Sequence, residues 1–134
     1  MHTVRHIEAY KENQLTITDP GSVLLLLYQG AIDALNRAAL YLGKGDIAEK
    51  GKCVLRANDI IHQFLASLDY EAGGELAQNL EGLYRYMLDQ ILFANINNDS
   101  EAFKRVASLL STLKEGWESA VADQRRRVAA QGAA

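Results

Sequence analysis

Proline is almost absent from this chain: Pro20 is the only one in 134 residues. There is also no alternating run rich in Val, Ile or Thr, so little in the sequence signals strands and little interrupts long helices. Cysteine is equally scarce. Cys53 stands alone, which rules out an intrachain disulfide and a Cys-x-x-Cys-His haem attachment, and fits a reducing cytoplasm. Positive charge is in short supply, with a net charge of −3 and Lys and Arg scattered rather than striped, which argues against a nucleic-acid partner. No apolar run approaches the roughly 20 residues that span a bilayer, so no membrane insertion is expected. The N-terminus shows no apolar core followed by a cleavage site, so no secretory signal is expected either.

What is present is ordinary for one globular domain: 49% apolar and 23% charged residues. The spacing predicts helices near 20–42, 46–68, 74–97 and 99–121. Asp19-Pro20 reads as an N-cap with proline in the first turn. Asp46 with Glu49 reads as a capping box, Gly73-Gly74 as the break before the third helix, and Asp99 as the N-cap of the fourth. Short connections make neighbouring helices antiparallel. The expected fold is therefore all-α, an antiparallel up-down-up-down four-helix bundle over 19–121. Residues 1–18, with Val4, Ile7, Tyr10, Leu15 and Ile17, are too apolar for a solvated tail and read as a cap segment packed on the bundle. Residues 122–134, which include Arg125-Arg126-Arg127, read as a flexible or frayed helical tail.

Helical wheels leave a surplus. The stretch TDPGSVLLLLYQGAI places Val23, four leucines and Tyr28 in a row, and at about 100° per residue these point in every direction. Leu24, Leu27, Tyr28, Ala31, Leu35, Ala38 and Leu42 form the core side of the first helix, and Leu25, Leu26 and Leu40 fall outside it. In the second, Val54, Ala57, Ile61, Phe64, Leu65 and Leu68 face inward and Ile60 and Leu55 sit on the shoulders. In the third, Leu76, Leu80, Leu83, Tyr84, Met87 and Ile91 face inward, while Tyr86 and Phe93, one heptad apart, do not. The fourth is clean, with Phe103, Val106, Leu110, Leu113 and Trp117 along one stripe. Periodicity leaves two explanations open: residues 1–18 cover the spare apolar surface, or it is a groove for an amphipathic partner. Both hold if the segment occupies the groove until a partner arrives.

No chemistry emerges from the polar residues. A di-iron bundle needs two inward Glu-x-x-His pairs, and only Asp59-x-x-His62 comes near that spacing. His62 lacks the small and basic neighbours expected of a phosphotransfer histidine, and His2 with His6 lies on the N-terminal segment. Glu75 after Gly73-Gly74 would repel a phosphate, and Cys53 reads as a small core hydrophobe. The expectation is a protein that is not an enzyme and holds no metal or cofactor. Asn58, inside an apolar arc, is expected to fix register or to bond a buried backbone group.

The segment Leu68-Asp69-Tyr70-Glu71-Ala72-Gly73-Gly74-Glu75, followed by Asn79-Leu80, Leu83-Tyr84 and Tyr86-Met87, resembles the FliS family of flagellin-specific export chaperones, whose recurrent pattern is LDxExGGExAxNLxxLYxYM. Ala9-Tyr10 with Thr18 and Pro20 is similar to the family's AYxxxxVxTAxP start, and Leu27-Tyr28-Gln29-Gly30-Ala31 to its LYDGA. Gly45-Asp46 and Ile60-Ile61 fit its second helix, Ala94–Asp99 its ANxxND, and Trp117 the tryptophan near its end. The resemblance runs over roughly 9–117. Asp19 stands where the family usually has Ser, Gln29 where it has an acid, and Leu25 where it often has a polar residue. The resemblance implies a cytoplasmic chaperone that binds the disordered C-terminal segment of flagellin, blocks premature polymerisation and aids delivery to the flagellar type III export gate, with a co-chaperone as a further partner. It also implies that the N-terminal segment is displaced by flagellin. On this reading Ile7 and Tyr10 belong to the cover, and Leu25, Leu26, Ile60, Tyr86 and Phe93 are the expected partner contacts. The competing reading is a structural or regulatory bundle with no flagellin partner.

Overall fold

The structure, a computed structural model, describes residues 19–133. The cap segment 1–18, with Ile7 and Tyr10, lies outside the described residues. Four helices account for nearly everything else: α1 (Pro20–Gly43), α2 (Ile47–Ala66), α3 (Tyr70–Asn97) and α4 (Ser100–Ala133). Among the described residues there is no strand.

The helix starts are set by aspartates. Asp19 accepts from the Ser22 N–H at 3.0 Å, with Pro20 in the first turn. Asp46 accepts from the Glu49 N–H at 3.1 Å, and Asp99 from the Ala102 N–H at 3.1 Å. The reciprocal half of the expected capping box is not formed. The Asp46 N–H is already taken by the Tyr41 carbonyl at 2.9 Å, and the Glu49 carboxylate pairs with Lys52 at 3.0 Å instead.

The start of α3 differs from expectation. Asp69 caps it by accepting from the Glu71 and Ala72 N–H groups at 3.1 and 3.0 Å, so the helix begins ahead of the glycine pair. Gly74 then sits inside it at φ 50°, ψ −122°, a conformation open to glycine and costly for other residues. The kink it makes also explains Leu76, expected to face inward but found 57% exposed. A Cβ at position 74 would meet nothing within 4 Å, so only the backbone objects to one. Gly74→Ala is therefore expected to lower the unfolding free energy by about 1–2 kcal/mol, measured by urea denaturation, with helical content unchanged.

The helices run antiparallel, each packed on its neighbours in a closed square: α1 on α2 and α4, α3 on α2 and α4, with α1 and α3 diagonal and unpaired. Lys50 at the start of α2 reaches the end of α3, and Trp117 midway along α4 reaches Tyr28 in the first half of α1. Tyr28, Leu35, Ile61, Met87, Ile91, Phe103 and Leu110 are fully buried at the centre. Ala31, Ala34, Ala38 and Ala39 line the buried side of α1 and let α2 and α4 approach it. By length and composition alone α1 could cross a membrane. Part of its apolar surface is spent on the bundle core, while Val23, Leu26 and Leu40 stay exposed.

Ile60 is a correction. It was expected on a shoulder and is only 3% exposed. The reason lies across the interface at Gly30, where a Cβ would stand 3.3 Å from the Ile60 Cδ1. The missing side chain on α1 makes the room that Ile60 fills. Asn58 is a second correction. Its Oδ1 is buried and bonds no group among the described residues, so of the two roles expected, register or a bond to a buried backbone group, that oxygen does not fill the second. At the other end of the chain, residues 122–133 continue α4 as a helix. Its arginines are spent within the chain: Arg125 pairs with Asp19 at 3.2 Å and also contacts the Ser22 hydroxyl, and Arg126 and Arg127 pair with Asp123 at 3.3 and 3.2 Å.

Candidate partner-binding surface

One end of the bundle is organised around four aromatic rings drawn from all four helices. Tyr28 of α1 stacks on Phe64 of α2, centroids 4.4 Å apart and planes 20° apart. Phe64 tilts against Tyr84 of α3 at 5.3 Å. The Tyr28 and Tyr84 hydroxyls are hydrogen-bonded to each other. From α4, the Trp117 indole N–H donates to the Tyr28 oxygen at 3.0 Å. The core role expected for the two tyrosines is what the structure has. Their hydroxyls, however, meet inside rather than at a rim, with the residues 0% and 2% exposed. Burial pushes both phenols above the ordinary tyrosine range, so both keep their protons.

Two apolar recesses flank this hub. The first, of about 360 Å³, lies between the end of α2 and the start of α3, walled by Phe64, Leu68, Ala72, Leu76, Leu80 and Tyr84. The second, of about 740 Å³, runs between the first turn of α1 and the last turns of α4, along Pro20, Gly21, Ala120, Val121, Gln124 and Val128. Leu24 and Trp117 border both, so the recesses form one apolar track divided by the indole. Trp117, assigned on its wheel to the core stripe, is thus also surface, half-buried at the partition.

The expected contact residues fall on opposite sides of the molecule. Leu26 of α1 is 53% exposed and Leu25 half-buried. Tyr86 and Phe93 of α3 are 53% and 48% exposed. Because α1 and α3 are diagonal, no single flat face holds all four. Ile60 is absent from that surface, being core. The wheels left Leu92 and Ile96 unassigned, and both are exposed beside Phe93. Their angular distance from Met87 and Ile91 on the α3 wheel was the signal for it.

No group of three or more His, Cys, Asp and Glu residues is placed to hold a metal ion among the described residues. The Cys53 thiol is raised by desolvation above its ordinary value, the opposite of an activated nucleophile.

A family model described as Flagellar protein FliS matches residues 3–124. The chain belongs to the FliS family. Similar proteins include the flagellar secretion chaperone FliS of Salmonella typhimurium, 41% identical over 123 residues covering 88% of this chain and 91% of that one. The flagellar secretion chaperone FliSB of Pseudomonas aeruginosa is 34% identical over 122 residues, 88% of this chain and 97% of its own. A more distant relative, FliS of Bacillus subtilis, is 26% identical over 118 residues, 88% and 87% of the two chains. The pieces of sequence that resemble FliS, far apart along the chain, meet in space at the aromatic hub. Tyr28 comes from one, Tyr84 from another and Trp117 from a third. In this FliS member, then, the motifs build the hub and much of the wall of the first recess.

Proposed function

We propose that this protein is a cytosolic export chaperone that holds the C-terminal segment of flagellin, keeps it from polymerising and aids its delivery to the flagellar type III export gate, without catalysis. The observation that carries the reading is the pair of apolar recesses that meet at Leu24 and Trp117, on a chain whose relatives are named flagellar secretion chaperones. A track open to water favours a partner that brings apolar side chains and no fold of its own, because burial then offsets the chain entropy lost on ordering. The diagonal placement of Leu25 and Leu26 against Tyr86 and Phe93 further favours a partner that passes round the bundle. Residues 1–18, with Ile7 and Tyr10, are the proposed cover of the track in the free protein. They join the bundle at Asp19, on the border of the second recess. Export-gate and co-chaperone contacts belong to the same proposal.

Titration calorimetry with flagellin from the same cell, intact and lacking its C-terminal segment, tests it. Intact flagellin should bind with a negative heat-capacity change and the truncated form should not. Leu26→Glu and Phe93→Glu replace exposed side chains, so each should weaken binding at least tenfold while the thermal midpoint stays put. No binding by the unaltered chain removes the function. Unchanged affinity in both variants removes the surface assignment.

A further inference from the structure

The run Arg125-Arg126-Arg127 divides its work. Arg126 and Arg127 turn back on Asp123 within α4. Arg125 reaches across to α1, where it pairs with the Asp19 carboxylate at 3.2 Å and bonds the Ser22 hydroxyl. One turn earlier, Val121 meets Gly21. A Cβ at position 21 would stand 2.9 Å from both Val121 methyls, so the missing side chain is what lets the helices come this close. Val121 and Arg125 thus fasten the end of α4 to the first turn of α1, and Asp19, Gly21, Val121 and Arg125 all line the second recess. Little else holds that end. As far as Trp117, α4 is bedded in the core, with Phe103, Val106 and Leu110 buried and Leu113 and Trp117 packed against them. Beyond it, residues 118–133 make about 24 Å of helix, and of residues 118–132 only Val121 is not exposed. A helix of that length is marginal in water without tertiary contacts.

We infer that residues 118–133 are a hinged arm, closed on α1 by a two-point latch of Val121 on Gly21 and Arg125 on Asp19 and Ser22, and that this arm gates the second recess. The inference goes beyond the chaperone reading and does not depend on it. The hinge lies at Gly116-Trp117, where the packing on the core ends and a weak helix former stands just ahead of the indole. With the latch shut, the arm is the wall of the recess that faces α1. With the latch open, the recess loses that wall and the indole gains water on that side. The latch is weak by construction. One point is an exposed ion pair and the other a contact of two methyls, so thermal opening lies far below the cost of unfolding the bundle. The width of the second recess is therefore adjustable, while the first recess, walled by α2 and α3, does not share the arm.

The test is amide hydrogen exchange of the full-length chain, read by mass spectrometry, with acrylamide quenching of Trp117 alongside, for the unaltered protein, Val121→Ala and Arg125→Gln. Alanine and glutamine are good helix formers, so faster exchange reports the latch and not a weaker helix. In each variant residues 118–129 are expected to exchange about threefold faster, with residues 101–113 unchanged and the indole more readily quenched. Raising NaCl from about 50 to about 500 mM should speed arm exchange in the unaltered chain and not in Arg125→Gln, where the ion pair is already gone. Unchanged arm exchange in either variant, or an unaltered chain indifferent to salt, removes one point of the latch and overturns the inference. Faster exchange that extends through residues 101–113 overturns it too, because α4 then loosens as a whole with no hinge. Faster arm exchange with unchanged quenching means that the arm walls nothing, which overturns the gate. Flagellin enters none of these readouts, so the chaperone reading stands or falls separately.

Discussion

Tyr28→Phe is expected to lower the unfolding free energy by about 3 kcal/mol, far more than the loss of one oxygen from a packed ring suggests. Tyr28 is the middle member of a chain of polar groups that runs from the Trp117 N–H through Tyr28 to Tyr84. Removing its hydroxyl strands a donor on one side and a buried phenol on the other, and each stranded group carries a desolvation penalty. Tyr84→Phe removes an end member and leaves Tyr28 still accepting from the indole, so about 1 kcal/mol is expected there. The double variant no longer strands the Tyr84 hydroxyl and should be no worse than Tyr28→Phe, a coupling that a double-mutant cycle in guanidinium reads directly. If Tyr84→Phe costs as much as Tyr28→Phe, the order of the chain is wrong.

Lys50→Met should cost about 2 kcal/mol. Lys50 is the one polar or charged residue buried among those described, 5% exposed, and it makes no ion pair with any described carboxylate. Its ammonium is satisfied at the C-terminal end of α3, donating to the Asn95 carbonyl at 3.3 Å and to the Asn98 Oδ1 at 3.1 Å. The position suits a cation, because the last carbonyls of a helix lack internal partners and carry the negative end of its dipole. Asn98 itself sits in the left-handed region at φ 50°, ψ 49°, and the Asp99 N–H closes back on the Ala94 carbonyl at 3.0 Å. Asn98→Gly keeps that turn and gives up only the side-chain oxygen, so its unfolding midpoint in urea should stay close to that of the unaltered chain. A large loss in Asn98→Gly with none in Lys50→Met would reverse the roles assigned to the two residues.

The sequence made the architecture legible because its signals are local. Aspartate caps, glycine breaks and 3.6-residue periodicity each act within a turn or two, and they placed α1, α2 and the start of α4 well, whereas α4 runs on to Ala133 through residues read as a tail. Where a residue's position depends on a neighbour in space, the wheel misled. Ile60 is buried because Gly30 on another helix has no side chain, and nothing around position 60 reports that. Leu76 is exposed because Gly74 turns the chain between it and the cap, which makes the glycine pair a bend within α3 rather than a boundary. Asn58 looked like a polar pin, and its oxygen has no partner among the described residues, a question of geometry that residue type does not answer. The apolar track was invisible for the same reason: its walls come from residues as far apart as Pro20 and Val128. The surplus of apolar positions on α1 and α3 was legible, and its division between two opposite sides was not.

Trp117 has a consequence for spectroscopy. It is the only tryptophan of the chain. Its ring forms the partition between the two recesses, and its N–H is tied to Tyr28. Excitation at the red edge of protein absorption therefore addresses one indole at one place. An occupant arriving on either side strips water from that ring and moves its emission towards the blue, whereas events at the far end of the bundle leave it dark to them. The protein carries its own optical gauge of whether the track is filled, and a tryptophan-free partner can be followed on it without any label.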